Sequence, residues 1–411
     1  MRISNSGEMR YCRWADYAQS APVAQVSQTS PLTYFQQLMA PLRQQLATGE
    51  SPAGCQGCLA AEPSGKISGR KRQLLKTGIV VGEFDKTAAS SPWITEFVKC
   101  ETAGTVDLGV QDWQIDLGNY CNSNCIFCSP AESSRLAAEF KRIGFIKDIP
   151  PANWSDDPST VNTVMAAIVS SKPRFIHFVG GETTITPAFK KILQALLTAG
   201  CKDTAISFTT NLTVWPQDIV ELLTQFQEVN LGMSVETFES VNDYVRWPSK
   251  VNDVRRTLDQ WVNIGQQHGW LMTLRITPTC LTVHGLTDVY QYAVDHSLNV
   301  ESVNFLQRPE FLRPGVLPKS VTDSIAHQLE SWIGSFTVSA NEIVNVRSPD
   351  LQTQAALQDA RSYVEYLRTA GDESHRWPDL VRYLQQLETS RHNCILDYLP
   401  QYESLFRTAG Y

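Results

Sequence analysis

Between about residues 106 and 312, short apolar runs of strand length alternate with longer stretches of helical periodicity, and this limits the fold more than any other feature. The strand candidates are Val110–Leu117, Phe175–Val179, Ala205–Thr209, Val229–Val235, Leu271–Thr277 and Ser302–Leu306. Amphipathic patterns lie between them, including Ala131–Ile143, Pro187–Thr198, Gln217–Phe226, Val251–His268 and Leu286–His296. Strands that alternate with helices return to the sheet as parallel neighbours through right-handed crossovers. Six such units predict an α/β protein with a partial (β/α)6 TIM-like barrel. Reactive residues then belong just after the C-terminal ends of the strands.

Two flanks of different texture surround this core, giving three expected regions: 1–105, 106–312 and 313–411. In the first, Leu32, Phe35, Leu38, Met39, Leu42 and Leu46 fall at helical spacing, with Pro41 as the expected kink. The last opens with Arg313-Pro314-Gly315 and reads as helices that pack on the barrel. No internal repeat or low-complexity tract is present.

Hydrophobic content of 42% and charged content of 19% describe a folded protein. A net charge of −7 provides no general attraction to nucleic acid or anionic lipid, so neither partner is expected. The basic run Lys66–Arg72 is the one contrary sign and reads as solvated surface. The first residues lack the apolar stretch of a secretory signal, and no apolar run reaches membrane-spanning length. A cytoplasmic, reducing compartment is therefore expected. There, ten cysteines read as core residues, ligands or nucleophiles rather than disulfide partners.

Spacing separates these roles. Cys121, Cys125 and Cys128 stand at Cx3Cx2C spacing on one loop directly after the first barrel strand. Three thiolates on a short loop can hold three corners of a [4Fe-4S] cluster and leave the fourth iron open to a small molecule. Zinc would want a fourth protein ligand, and none follows on this loop. Taken alone, the spacing also admits incidental cysteines or part of a structural zinc site. The loop resembles the signature of the radical S-adenosylmethionine (SAM) superfamily, whose pattern CxxxCxΦC has an aromatic residue where Phe127 stands. That resemblance implies that the open iron binds the amino and carboxylate groups of SAM. An electron from the cluster then cleaves SAM to methionine and a 5′-deoxyadenosyl radical, which abstracts hydrogen from a substrate. It also places Phe127 near the adenine.

Later strand ends extend the resemblance. Gly180-Gly181-Glu182 follows the second strand; two glycines permit close backbone approach, and a carboxylate can accept hydrogen bonds from a cationic amine. The segment is similar to the family's GGE motif, which holds the amino group of SAM. Thr210-Asn211 after the third strand, and Ser234 and Glu236 at the end of the fourth, are similar to residues that line the cofactor or substrate site. Arg246, in Tyr244-Val245-Arg246, resembles an arginine that meets the ligand carboxylate. Arg275, Thr277, Thr279 and Asn304 are further candidates for the cavity lining.

A second cysteine group precedes the barrel. Residues 3–12 read as a hairpin that delivers Cys12, and a helical stretch then leads to Cys55 and Cys58 at CxxC spacing. The three thiols could share a metal or a second, auxiliary [4Fe-4S] cluster; zinc and a redox-active thiol pair remain open. The group resembles the twitch or SPASM auxiliary-cluster segments of radical SAM enzymes, although these usually follow the barrel. Cys55, Cys58, Glu62, Gly65, Ser68 and Arg70 form a CxxCxxxExxGxxSxR pattern similar to twitch-containing proteins of phage and bacteria. Cys100 and Cys394 are candidates for a fourth ligand, whereas Cys201 and Cys280 read as core.

The expectation is a radical SAM enzyme acting on a peptide or protein side chain, or on a sugar or nucleotide-derived molecule, and drawing electrons from a donor such as flavodoxin or ferredoxin. The alternative is a zinc or iron–sulfur binding module without catalysis.

Overall fold

A computed structural model describes residues 1–12, 23–64, 68, 71, 99–102, 104–151, 153–302, 306–336 and 349–411. Nine strands form one sheet in the order β3-β2-β1-β4-β5-β6-β7-β8-β9. The strands are β1 (Arg2–Ile3), β2 (Glu8–Arg10), β3 (Ala24–Gln25), β4 (Asp112–Asp116), β5 (Phe175–Val179), β6 (Ala205–Thr210), β7 (Val229–Ser234), β8 (Leu271–Arg275) and β9 (Asn299–Glu301). From β4 to β9 every neighbour is parallel and follows in chain order, as the alternating pattern requires. The mixed α/β fold with a partial, TIM-like barrel is therefore observed.

Each parallel pair is joined by a helix that buries one face on the sheet. Ser134–Arg142 and Pro158–Ser171 connect β4 to β5, and Pro187–Thr198, Gln217–Leu223 and Val251–His268 connect the next strands in turn. Ile176, Phe178, Ile206 and Phe208 point toward these helices and are fully buried. Phe178, Phe189 and Phe208 form a chain of ring contacts that continues to Trp261, with centroids 4.9, 5.3 and 6.0 Å apart. Such pairs add roughly 0.5–1.5 kcal/mol each beyond the area they bury. The opposite face is polar. His177, Ser207 and Asn230 lie side by side across three strands, and Arg275 stands beside Ser234.

Differences from the sequence reading have local causes. The last strand among the described residues is Asn299–Glu301; the expected strand Ser302–Leu306 falls mostly on residues 303–305, which with the candidate Asn304 lie outside the described residues. In the N-terminal region, Pro31–Thr33 and Ala40–Ala47 flank a widened helical turn at Tyr34–Leu38. Pro41 has no backbone N–H to give to the preceding turn, so the helix loosens just ahead of it. The resulting change of phase leaves Leu38 and Leu46 exposed while Tyr34, Met39 and Leu42 are buried.

The N-terminal hairpin is present, with Ile3 opposite Met9, but it does more than deliver a cysteine. β1 joins the main sheet parallel to β4, pairing Ile3 with Ile115. At the far edge, the C-terminal helix Pro349–Thr369 packs on β9. Asp359 of that helix accepts the hydroxyls of Tyr290 (2.6 Å) and Ser302 (2.5 Å). Cys201 and Cys280 are buried, as expected for core residues.

Tyr290 tests this attachment. Tyr290→Phe removes one hydrogen bond to the half-buried Asp359 carboxylate, at an expected cost of about 1.5–3 kcal/mol. Thermal unfolding should show a lower midpoint with an unchanged circular dichroism spectrum at 20 °C, about room temperature.

Candidate active site

Because β4 to β8 are parallel, the loops after their C-terminal ends gather at one end of the sheet. The loop after β4 carries the three closely spaced cysteines. It is held at two points before it turns at Cys125–Cys128: Asn124 N–H donates to Trp247 O (2.7 Å) and Ile126 N–H to Val245 O (2.9 Å). Ser133 Oγ donates to Ser123 O (2.8 Å), which fixes the far side of the loop at the start of the Ser134–Arg142 helix. Cys125 is buried, and Cys121 and Cys128 are half-buried. Burial pushes the Cys121 thiol up to about 11 and raises Cys128 as well, each thiol being further disfavoured as an anion by its neighbours. Phe127 is half-buried against the core.

The loop after β5 presses on this segment. Gly180 and Gly181 have φ of 99° and 40°. A Cβ at Gly180 would stand 2.2 Å from Asp116 Oδ1, and one at Gly181 would stand 2.2 Å from Tyr120 O. The backbone that comes close to these glycines is that of the cysteine loop itself, and Glu182 N–H donates to Tyr120 O (2.8 Å). Glu182 is 1% exposed, and its carboxylate accepts from Thr184 N and Oγ1 and from Asn211 N (2.6 Å). Burial raises the Glu182 pKa against the lowering effect of these bonds, which brace the carboxylate between the loops after β5 and β6.

Asn211 completes the junction, its Nδ2 donating to Asn122 Oδ1 (2.8 Å) and Ser123 Oγ (3.2 Å). From the loop after β7, Glu236 accepts Arg246 Nη1 (2.8 Å) and Thr277 N–H (2.6 Å). Arg246 is 4% exposed. Burial acts to lower its pKa, but the facing Cys125 and Glu236 outweigh this and hold it charged. Its Nε is buried with no hydrogen-bond partner among the described residues. Ser234 is half-buried at the end of β7 beside Arg275, whose side chain pairs with Glu301 at 3.3 Å.

The donor set fits an iron–sulfur cluster: three soft thiols on one loop, a buried cation to balance thiolate charge, and a guanidinium nitrogen awaiting an acceptor. No group of three or more His, Cys, Asp or Glu side chains converges as a ligand set for one metal ion among the described residues.

In the second cysteine group, Cys55 ends a single helical turn and Cys58 lies on the following helix, Gln56–Ala61. Tyr11 OH lies 3.9 Å from Cys55 Sγ, which brings the residue next to Cys12 against the CxxC turn. Ser68 donates to Glu62 at 2.5 Å, joining two members of the longer pattern; Gly65 and Arg70 lie outside the described residues. Cys394 instead meets Tyr411 OH (3.2 Å) and Cys100 meets Thr105 O (3.5 Å).

Sequence reasoning missed a group beside the cysteine loop. Arg391 binds Glu139 through both carboxylate oxygens (3.0 and 2.7 Å) and also donates to Asn124 O (2.9 Å). Tyr383 OH donates to Ile126 O (2.7 Å). Nothing in the local pattern links residues 139 and 391, which are 252 positions apart.

Residues 115–288 match the profile of the Radical SAM superfamily. The matched span begins in β4 and ends after β8, so it contains the cysteine loop and the loops after β5, β6 and β7, but not the second cysteine group. The chain carries a radical SAM domain, and that domain supports an enzyme of this class. No curated protein matches the chain. Among solved structures it is similar to Streptococcus suis SuiB bound to S-adenosylmethionine, at 12% identity over 65% of this chain and 57% of that one, with a TM-score of 0.37. It is also similar to native anSMEcpe with bound AdoMet, at 13% identity over 56% and 63% of the two chains, with a TM-score of 0.39. The chain thus spans less than two thirds of either protein, and likenesses this distant carry no argument. Among the described residues no helix is long and apolar enough to cross a membrane.

Asp116, 3% exposed at the end of β4, gives a pH test. Burial, with Glu132 nearby, raises its pKa to about 7. The folded state therefore holds a proton that the unfolded chain releases above about pH 4, so stability falls as pH rises from about 4 to about 7 and is flat above. Asp116→Asn still accepts from Gly118 N–H but cannot ionise. Its unfolding midpoint should lose that slope and exceed the wild-type value at pH 8.

Proposed function

We propose that this protein is a radical SAM enzyme that cleaves SAM reductively and abstracts hydrogen from a peptide or protein side chain. The observation that carries the reading is the gathering of loops from successive strands onto one three-thiol segment, with a buried, partly unpartnered arginine beside it. Cys121, Cys125 and Cys128 would hold a [4Fe-4S] cluster. When bound, the cluster and SAM supply the electron and the nucleoside radical for hydrogen abstraction.

The chain's own contribution is placement. Phe127, Gly180, Gly181, Thr210, Asn211 and Ser234 shape the cofactor cavity, and Glu182 presents negative charge to the amino group of SAM. Arg246, oriented by Glu236, compensates thiolate charge at Cys121 and Cys125 and keeps Nε for an acceptor. Ile126 and Leu212, both fully buried, keep water from the base of the site.

Cys12, Cys55 and Cys58 are proposed to bind a second [4Fe-4S] cluster of the twitch or SPASM kind, supported by the Tyr11–Cys55 contact and the Glu62–Ser68 bond. The peptide substrate rests on the resemblance of this segment to auxiliary-cluster regions. A flavodoxin or ferredoxin would supply electrons, and a cytoplasmic location is proposed.

Anaerobically reconstituted protein should contain about eight irons per chain and form 5′-deoxyadenosine with reductant and SAM; about four would assign Cys12, Cys55 and Cys58 another role. Replacing Cys121, Cys125 and Cys128 together with Ala should abolish nucleoside formation. Persistent cleavage, or wild-type protein that takes up zinc and no iron, would refute the enzyme reading.

Glu182→Gln removes the negative charge and also sets a donor NH2 against the N–H of Thr184 or Asn211. SAM binding should weaken by about tenfold, the factor that about 1.4 kcal/mol represents, with iron content unchanged. Equal loss of iron would make Glu182 a brace alone.

A further inference from the structure

The cysteine loop is gripped from two sides, and only one of them belongs to the barrel. On the barrel side, Trp247 O and Val245 O accept the N–H groups of Asn124 and Ile126. On the other side, the C-terminal helix Trp377–Arg391 supplies donors to the carbonyls of the same two residues: Arg391 Nη2 to Asn124 O at 2.9 Å, and Tyr383 OH to Ile126 O at 2.7 Å. Asn124 and Ile126 flank Cys125, so every backbone polar group on either side of that thiol has a fixed partner. Residues 383 and 391 are eight apart and share one stripe of the helix.

The donors are themselves fixed. Arg391 is held by Glu139 in a two-pronged pair whose side chains are only 2% and 3% exposed. Asn124 Nδ2 and Ser390 Oγ add bonds of 2.8 and 2.9 Å to the same carboxylate, and the Trp247 ring lies 5.3 Å from the guanidinium carbon. Burial acts to raise the Glu139 pKa, but the bonds from Arg391 and Asn124 outweigh it and keep the carboxyl ionised. A fork of this kind fixes direction as well as distance.

We propose that the Trp377–Arg391 helix is a clamp on the cysteine loop, with Arg391 and Tyr383 as positioning residues that set the conformation around Cys125. The proposal rests on reading that loop as the cluster-binding one. Losing the Tyr383 hydroxyl, or the two-pronged reach of Arg391, loosens the loop around Cys125.

Tyr383→Phe is the mildest test, since it deletes one hydroxyl and keeps the ring. Arg391→Lys keeps the charge but cannot hold Glu139 and Asn124 O together. Both are reconstituted with iron and sulfide beside the wild type, and beside Tyr290→Phe as a remote loss of one buried hydrogen bond. The readouts are the electron paramagnetic resonance spectrum of the dithionite-reduced cluster and the rate of iron loss to EDTA. Tyr383→Phe should change the spectrum and speed iron loss by about fivefold, the factor for one hydrogen bond of about 1 kcal/mol. Arg391→Lys should shift both in the same direction. Tyr290→Phe should lower the unfolding midpoint yet match the wild type in both. Wild-type spectra and rates in the two clamp variants would overturn the clamp alone. Equal effects in Tyr290→Phe would overturn it in favour of general destabilisation. A wild type that takes up no iron would overturn the cluster reading and the clamp with it.

Discussion

A loop buried at the end of a sheet must find a partner for each of its backbone polar groups, since an unpaired N–H or carbonyl away from water costs as much as a lost hydrogen bond. The segment from Asn124 to Ile126 meets that demand through two distant parts of the chain. The turn at Val245–Trp247 takes its N–H groups, and the Trp377–Arg391 helix supplies donors to its carbonyls. Cys125 is thereby held between barrel and C-terminal region. Arg246 and Glu236 face it from the loop after β7, and Trp247 O takes the N–H of its neighbour Asn124.

The second contact layer is electrostatic. Arg246 and Arg391 are both nearly buried, and each faces a carboxylate that is itself buried, Glu236 and Glu139. Pairs of this kind gain little net stability over apolar packing, but the loss of one partner is costly. Their value here lies in fixing orientation: each arginine has one geometry in which its fork is satisfied. In both cases that geometry directs a guanidinium nitrogen or its charge toward the cysteine loop.

The sheet was legible because strand and helix periods differ, and five of the six expected barrel strands overlap those observed. The sixth falls mostly on residues outside the described ones, and the strand Asn299–Glu301 went unread because polar Asn299 and Glu301 flank Val300 and give no apolar run to detect. The hairpin at residues 3–12 was visible from its pattern, but its pairing with β4 is a long-range choice that no local pattern encodes. Within the site, Cys121, Cys125, Cys128 and Gly180-Gly181-Glu182 were legible from spacing. What those glycines accommodate was not: the loop of another strand, packed where an added methyl group would collide with Tyr120 O. Glu139, Tyr383 and Arg391 carried no signal, because a glutamate within an amphipathic helix and an arginine at a helix end look like ordinary surface until tertiary packing buries them.

The pairing of β1 with β4 also decides how the sheet ends. A closed barrel needs its first and last strands to meet, and here β4 already has a neighbour on its outer side while β9 is covered by the Pro349–Thr369 helix. Among the described residues the sheet is therefore an open trough rather than a tube. An extended polymer can be laid across a trough from the side, at any point along its length. It need not present a free end to be threaded through.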